Sequence, residues 1–504
     1  MKNFLISKKH AALGFAISAV LAFSSIAQAQ VWTDENQWSE SWEQSYHQWL
    51  KVNAQKNMFL KETNADGTLN PYYGIRVDCA DLVYALRIIF SFENKLPFAI
   101  KNPVVANGPV ATNTTERFNK TPAGILRLKK FLNWTFDMAS SSTIHRDTYP
   151  VAFKDVSAGT IIVTSKQNHH SWTIAEIYKT GNPRLIFNST VGRESGFEVQ
   201  QRKSWPNPAW VYQDVVSESD PTKITPAYVP GSPTGLRNWI PIEHVLTKIP
   251  VAAVPGYSEE QFLVGIGKWK SILMKSLQKI PETMDQTVMR LLSDACSDLD
   301  QRVTAVNEAE VYKTKLAMAI AGTGAEADKG YLYEIEQDKS KPSDLRCMIY
   351  KSFDQFSTPS RDRRLLDALV QARVYYKHAL EKNGEKSFSP NNLAIYKSIF
   401  PHISKSAAEE AQLDVTSKSS KNFCSITLNE RLGRISLAEV KRRLFVGKLS
   451  PNPNDSVAGR FGYTKTQDDL SSYCPAYDLN PVTVDLNKSE DEAIKELQSA
   501  LTDI

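Results

Sequence analysis

The stretch Tyr72-Tyr73-Gly74-Ile75-Arg76-Val77-Asp78-Cys79-Ala80-Asp81-Leu82-Val83 decides how the N-terminal half of the chain folds. Asp78 is a favourable N-cap, and Leu82, Leu86 and Phe90 follow Cys79 at helical spacing. We therefore predict a helix that begins at Cys79 and packs against the body of a domain. A helix N-terminus favours thiolate over thiol, so Cys79 is a candidate nucleophile, expected to react well below the ordinary cysteine pKa of ~8.5.

Short apolar runs punctuated by Gly and Pro follow this helix and predict strands. The predicted strands are Thr160–Thr164, Ser171–Tyr178 and Arg184–Phe187. The segment from Trp205 to Pro241 is rich in Pro, Ser and Gly, and it predicts a long surface excursion that closes this part of the chain.

A pair of histidines, His169 and His170, stands at the head of the second predicted strand. Alternate side chains of a strand share a face, so His170 is expected to point with Trp172 and His169 with Ser171. Only one of the two can therefore face a cleft. Asn188 ends the third strand, where its amide could orient an imidazole in a nucleophile-base-orienter triad.

The order of these parts is similar to that of papain-like enzymes in their compact bacterial form. Val77-Asp78-Cys79-Ala80-Asp81-Leu82-Val83 resembles the D-C-S-G-[LF]-V signature of NlpC-type cell-wall peptidases, and Tyr72-Tyr73-Gly74 resembles their Y-x-G-G approach. Ala158-Gly-Thr-Ile-Ile-Val163 resembles their G-D-L-V-F strand. The resemblance covers roughly residues 65–195.

Three positions depart from the NlpC pattern. Asp81 replaces a Gly, Thr160 replaces an Asp, and His170-Ser171-Trp172 replaces the usual H-V-G. The His-x-Trp element and Asn188-Ser189-Thr190 also resemble the H-A-W and D-x-T elements of bacterial transglutaminase-like proteins. Both families use a Cys–His pair with a polar third residue.

The resemblance implies an α+β papain-like domain in which a helix that bears the Cys packs on an antiparallel sheet. It implies that Cys79 attacks an amide carbonyl, that His170 is the base and later the acid, and that Asn188 orients it. Tyr72 or Tyr73, with Tyr72 preferred, would bind the oxyanion beside the backbone N–H of Cys79. The implied substrate is the peptide stem of peptidoglycan, cut next to a γ-linked D-glutamyl residue through a thioester.

The chain divides into a leader and two further parts. Three early lysines, the apolar stretch Ala11 to Ile26 and Ala27-Gln28-Ala29 predict a signal peptide over 1–29, so export to the periplasm or the medium is expected. We predict a papain-like domain over 30–250 and a mainly helical, disulfide-containing domain over 257–504. Near its start, Trp38, Trp42, Tyr46 and Trp49 form one stripe of a helix, which favours a buried core face over a sugar-binding platform.

Charge and cysteine content narrow the functional classes. Without its leader the chain has 57 basic and 55 acidic residues, a net charge of +2 that gives no case for nucleic acid as a partner. No later window suggests a transmembrane segment. The absence of CxxC and HxxxH spacings predicts no metal site, and no cofactor is expected. The five cysteines predict a free Cys79 and two disulfides among the other four.

Three functional hypotheses follow from these residues. The first is a cysteine hydrolase that acts on peptidoglycan or another peptide, and the second is a transglutaminase-like acyl transferase that resolves the same thioester with an amine. The third is a non-catalytic envelope protein that keeps the fold and offers its helical domain to a protein partner.

Overall fold

The computed structural model describes residues 30–101, 111–164, 170–188, 199–216, 224–227, 229–247, 249–323, 358–413, 423–453, 455–464 and 485–502. These residues form an antiparallel sheet with flanking helices, followed by a mainly helical part. The predicted mixture of α and β structure, with helices dominating the C-terminal part, is confirmed. The predicted signal peptide, residues 1–29, lies outside the described residues.

A six-stranded antiparallel sheet in the order β3-β10-β4-β5-β6-β7 organises the N-terminal half. The strands of this half are β1 (Ala99–Ile100), β2 (Ala111–Thr112), β3 (Thr148–Pro150), β4 (Ile161–Val163), β5 (Ser171–Ile177), β6 (Pro183–Phe187), β7 (Gln200–Arg202), β8 (Gln213–Val216), β9 (Ile224–Ala227) and β10 (Gly235–Trp239). β1 pairs with β2, and β8 with β9, as separate two-stranded sheets. The three strands predicted from the sequence are β4, β5 and β6.

Two helices cover one face of the six-stranded sheet, α1 (Glu40–Asn53) and α2 (Cys79–Glu93), and α3 (Ile125–Met138) packs on α2. α2 begins where predicted because the Asp78 carboxylate accepts hydrogen bonds from the N–H groups of Ala80 and Asp81, a cap worth ~1 kcal/mol. Its apolar residues pack with Ile161, Ala175 and Ile186 of the sheet. The aromatic stripe packs on the same core through the buried Tyr46, as predicted.

The opposite face of the sheet is covered by residues from beyond position 257. After α4 (Ile242–Leu246), the chain forms α5 (Glu260–Leu263) and α6 (Ile266–Leu277). Phe262, Trp269 and Leu273 of these helices pack with Trp172 and Leu185 of the sheet. The predicted boundary between the two domains, at residues 250–257, therefore precedes α5 and α6. These two helices nevertheless pack in the core of the sheet.

The strand β10 lies inside the segment that the sequence assigned to a surface excursion. It pairs with β3 and β4, and Leu236 is fully buried. The buried Arg237 satisfies its guanidinium by donating to Thr148 and to backbone carbonyls, among them that of Ser232. Because these hydrogen bonds allow a charged residue to be buried in the strand, no apolar pattern marks it.

The C-terminal part forms its own apolar core. Its elements are α7 (Met284–Ile320), α8 (Pro359–Asn383), α9 (Pro390–Ile399), α10 (Ala407–Gln412), β11 (Ser425–Asn429), β12 (Gly433–Ser436), α11 (Leu437–Phe445), α12 (Val457–Arg460) and α13 (Leu486–Thr502). A disulfide joins Cys296 of α7 to Cys424, next to β11. The other pair of cysteines, Cys347 and Cys474, lies outside the described residues, so one of the two predicted disulfides is confirmed.

The helices that the structure describes include no candidate for a membrane span. None of them combines the length and the apolar composition that crossing a bilayer requires.

Candidate functional site

Cys79 occupies the first turn of α2 and lies against the beginning of β5. The Ser171 hydroxyl donates a hydrogen bond of 2.7 Å to the carbonyl oxygen of Cys79, which ties the helix start to the strand. Cys79 is partly exposed and is the free cysteine among the described residues, as the parity of the cysteines predicts. The predicted juxtaposition of a helix-start thiol and an antiparallel strand is therefore present.

The Cys79 thiol is neutral at physiological pH. Burial, and then the negative charge of Asp78, raise its pKa to about 11 against the opposing hydrogen bonds from Ser171 and Ala80. The prediction of a low thiol pKa is wrong, because burial and the N-cap carboxylate outweigh the helix dipole.

His170 lies on the wrong face of the sheet to serve Cys79. Its ring packs edge-on against Trp172 at 4.8 Å and Phe187 at 5.1 Å between centroids, and both neighbours belong to the core that faces α6. Burial, and then the positive charge of Arg364, lower the pKa of His170 to about 3. The assignment of His170 as the base is therefore wrong, since α2 and Cys79 pack on the other face.

The alternation that the sequence predicts holds within β5. Trp172 and Ile174 face the α6 side, whereas Ala175 faces α2 and Ser171 contacts Cys79. The second histidine of the pair, His169, lies outside the described residues.

Asn188 follows β6 on the Cys79 side of the sheet. Phe187 packs toward α6 and Ile186 toward α2, so alternation gives Asn188 the orientation of Ile186. The side chain is 2% exposed, and its Nδ2 has no hydrogen-bond partner among the described residues. A buried amide donor without a partner is unusual, and it fits the predicted role of orienting another polar group.

Tyr72 lies far from the thiol. Its hydroxyl donates a 2.7 Å hydrogen bond to Glu93, the last residue of α2. Burial, and then the charge of Glu93, raises the pKa of this phenol. Since α2 has 15 residues and rises ~1.5 Å per residue, the hydroxyl is about 20 Å from Cys79. The oxyanion role predicted for Tyr72 is wrong. Tyr73 is 45% exposed and is not placed at the thiol by any described contact.

Asp81 is a site residue whose role the sequence did not reveal. Its carboxylate accepts a 3.0 Å hydrogen bond from the N–H of Asp78 and completes a reciprocal capping box. Burial raises the pKa of Asp81 to about 7, with further contributions from the charges of Asp78 and Asp137. The pattern D-x-x-D at a helix start is the signal that predicts such a box. Among the described residues, the charged neighbour of the thiol is therefore the carboxylate of Asp78.

A second group of polar side chains lines a cavity of about 380 Å³ that includes neither Cys79 nor Ser171. Glu43 and His47 of α1 face it, together with Tyr149 and Asn238. Burial lowers the pKa of His47, against the opposing charge of Glu43. Glu43 and His47 lie four residues apart in α1, each directly after a residue of the aromatic stripe, and that spacing is the signal in the sequence that could have found them.

Comparison of the whole chain with protein-family models, with curated proteins and with solved structures finds no match.

Proposed function

We propose that this chain is an exported cysteine hydrolase that cleaves amide bonds through Cys79. The observation that carries the proposal is the placement of a free thiol in the first turn of α2, directly against the first residue of β5. Strand alternation places Asn188 on the same side of the sheet, and its Nδ2 has no hydrogen-bond partner among the described residues. A papain-like arrangement requires this combination of a helix-start thiol, a strand and a polar orienter.

The substrate class rests on the sequence. The resemblance of residues 77–83 to the NlpC signature and the predicted signal peptide both favour peptide stems of peptidoglycan in the periplasm or outside the cell. We therefore propose such stem peptides as the substrate.

The proposed reaction needs a base that the described residues do not supply. Since His170 faces α6, we assign the base to His169. His169 is two positions before Ser171 in the sequence, the spacing at which side chains of a strand share a face. The base takes the thiol proton as Cys79 sulfur attacks the amide carbonyl carbon. It then returns that proton to the leaving amine, and a thioester remains. Water cleaves the thioester to a carboxylic acid and regenerates the thiol.

The decisive experiment incubates residues 30–504 with purified muropeptides and follows the products by mass spectrometry. The parent protein should yield two fragments whose summed mass exceeds the substrate by one water, and Cys79→Ala should yield none. His169→Ala should abolish cleavage, whereas the matched variant His170→Ala should retain it as long as circular dichroism shows a folded protein. Cleavage that survives Cys79→Ala would refute the proposal.

The same experiment separates hydrolysis from acyl transfer. With an added primary amine, a transglutaminase-like enzyme would release a product that carries the amine in place of water. An amine adduct that depends on Cys79 would replace the hydrolase proposal by this alternative.

A non-catalytic role is the second candidate, favoured by two observations at the site. The thiol has a pKa of about 11, and His170 packs away from it. If the protein is such a scaffold, neither the parent nor Cys79→Ala should cleave muropeptides. Both proteins should nevertheless co-sediment equally with insoluble peptidoglycan. Cleavage by the parent alone would exclude it.

A further inference from the structure

A cavity of about 370 Å³ lies between the sheet and the C-terminal helices. Arg202 of β7 and Trp210 line it from the sheet side, and Lys270 of α6, Arg290 of α7 and Tyr375 of α8 line it from the helices. Its volume falls within the range of small-molecule sites, which often lie at boundaries between structural units. The cavity has no part in the proposed chemistry of Cys79.

Positive side chains converge on this cavity. Burial lowers the pKa of Lys270, and the charges of Arg290 and Arg202 lower it further, against the opposing charge of Glu496. The three cations are thus close enough to repel one another. An anion placed among them would reduce this repulsion.

Three acidic residues also line the cavity, and each has other partners. Asp294 accepts hydrogen bonds from the backbone N–H of Lys203 and from the Ser204 hydroxyl. Glu496 accepts a 2.9 Å hydrogen bond from Gln371 and lies 3.9 Å from Lys270. Asp367, a third acidic lining residue, pairs with Arg363 of its own helix. Lys270 therefore has Glu496 as its ion-pair partner at 3.9 Å, and the charge of Glu282 also opposes the lowering of its pKa.

Arg202 and Arg290 differ in how their guanidinium groups are satisfied. Glu282 accepts two hydrogen bonds from Arg290, at 2.9 and 3.0 Å, and Ser204 accepts a third. The Nε of Arg202, in contrast, is enclosed and has no hydrogen-bond partner among the described residues. Enclosed guanidinium donors are normally paired, and a carboxylate or phosphate matches their forked geometry.

We propose that this cavity binds a small organic anion whose carboxylate or phosphate lies between Arg202 and Lys270. The partly buried rings of Trp210 and Tyr375 supply the apolar wall against which the body of the anion packs. Because its two cationic ligands come from β7 and α6, a bound anion links the edge of the sheet to the helical layer. Trp210 also stacks on Trp172 of β5, with 6.4 Å between ring centroids.

The test uses residues 30–504 and titrates inorganic phosphate and citrate separately by calorimetry, at constant ionic strength because salt screens such contacts. Saturable binding of one anion at millimolar or lower concentration is expected, and the anion that binds identifies phosphate or carboxylate as the recognised group. Arg202→Gln and Lys270→Gln should each weaken it about tenfold or more, the effect of one lost charged contact. Lys268→Gln, an exposed neighbour on α6, is the matched control and should bind like the parent.

Two results would overturn the proposal. One is the failure of both anions to bind the parent protein. The other is an affinity unchanged in both Arg202→Gln and Lys270→Gln, with melting temperatures that show both variants to be folded. Cys79→Ala should bind the anion like the parent, so failure of the hydrolase proposal leaves this site standing.

Discussion

Replacing Asp81 by Asn should stabilise the protein, and the gain should grow with pH. The carboxylate has a pKa of about 7 in the folded protein, because of burial first and then the charges of Asp78 and Asp137, against an ordinary value of 3.8. The folded state therefore binds more protons than the unfolded state between these values, and stability falls as the pH rises through that window. Above pH 7 the accumulated cost is on the order of 4 kcal/mol.

Asn removes the charge and keeps an oxygen that can accept the hydrogen bond from Asp78. The variant should therefore gain little free energy of unfolding near pH 4 and about 2–4 kcal/mol near pH 8. Urea denaturation of both proteins across this range measures the difference.

The comparison with the parent at each pH matters because Asp147 titrates in the same window. Burial raises its pKa to about 7 as well, but both proteins retain it, so its contribution cancels. Asp66→Asn is a suitable control, since hydrogen bonds from Thr68 lower the pKa of that exposed carboxylate and its loss should bring no gain. A gain for Asp81→Asn that is the same at pH 4 and pH 8, or a loss at pH 8, would refute the reasoning.

Three further results are expected. Iodoacetamide should alkylate Cys79 at pH 7 about a hundredfold more slowly than it alkylates glutathione, because burial raises the pKa of the thiol to about 11, and a rate profile with a pKa below 8 would contradict this. The paired substitution of Cys296 and Cys424 by Ala should lower the free energy of unfolding by about 2–5 kcal/mol, since the bridge closes a separation of 128 residues, and unchanged denaturation midpoints would contradict that estimate. Tyr72→Phe should leave any Cys79-dependent cleavage unchanged and cost ~1 kcal/mol of stability through the lost bond to Glu93, whereas a loss of cleavage in a protein of normal stability would restore Tyr72 to the site.

Local patterns predicted the parts of the fold whose cause is local. The N-cap Asp78 marks the start of α2, and β4, β5 and β6 were found to within about two residues from their apolar runs. Each of these elements has a signal within a few neighbouring residues. The strand β10 has no such local signal. Its buried Arg237 donates hydrogen bonds to residues up to 92 positions away in the sequence, which no local pattern reveals.

The site was predicted less well because its geometry depends on packing. Alternation correctly separated His170 from Ser171, but nothing in the sequence shows which side of β5 receives α2. The same limit applies to Tyr72, whose place in the sequence is close to Cys79 although its hydroxyl reaches the far end of the helix. Proximity along the chain was a poor guide wherever a whole helix separates two groups.

The magnitudes at Cys79 explain why the helix start does not activate the thiol by itself. A helix N-terminus stabilises a negative charge by about 0.3–1 kcal/mol in most settings. A rise of the pKa from 9.0 to about 11, caused mainly by burial, corresponds to ~2.7 kcal/mol against the thiolate. The N-cap carboxylate of Asp78 contributes part of that rise, so the residue that begins the helix also disfavours its charged nucleophile. Burial therefore disfavours the thiolate more than the helix start favours it, and the proposed hydrolysis needs a base that removes the thiol proton as the sulfur attacks.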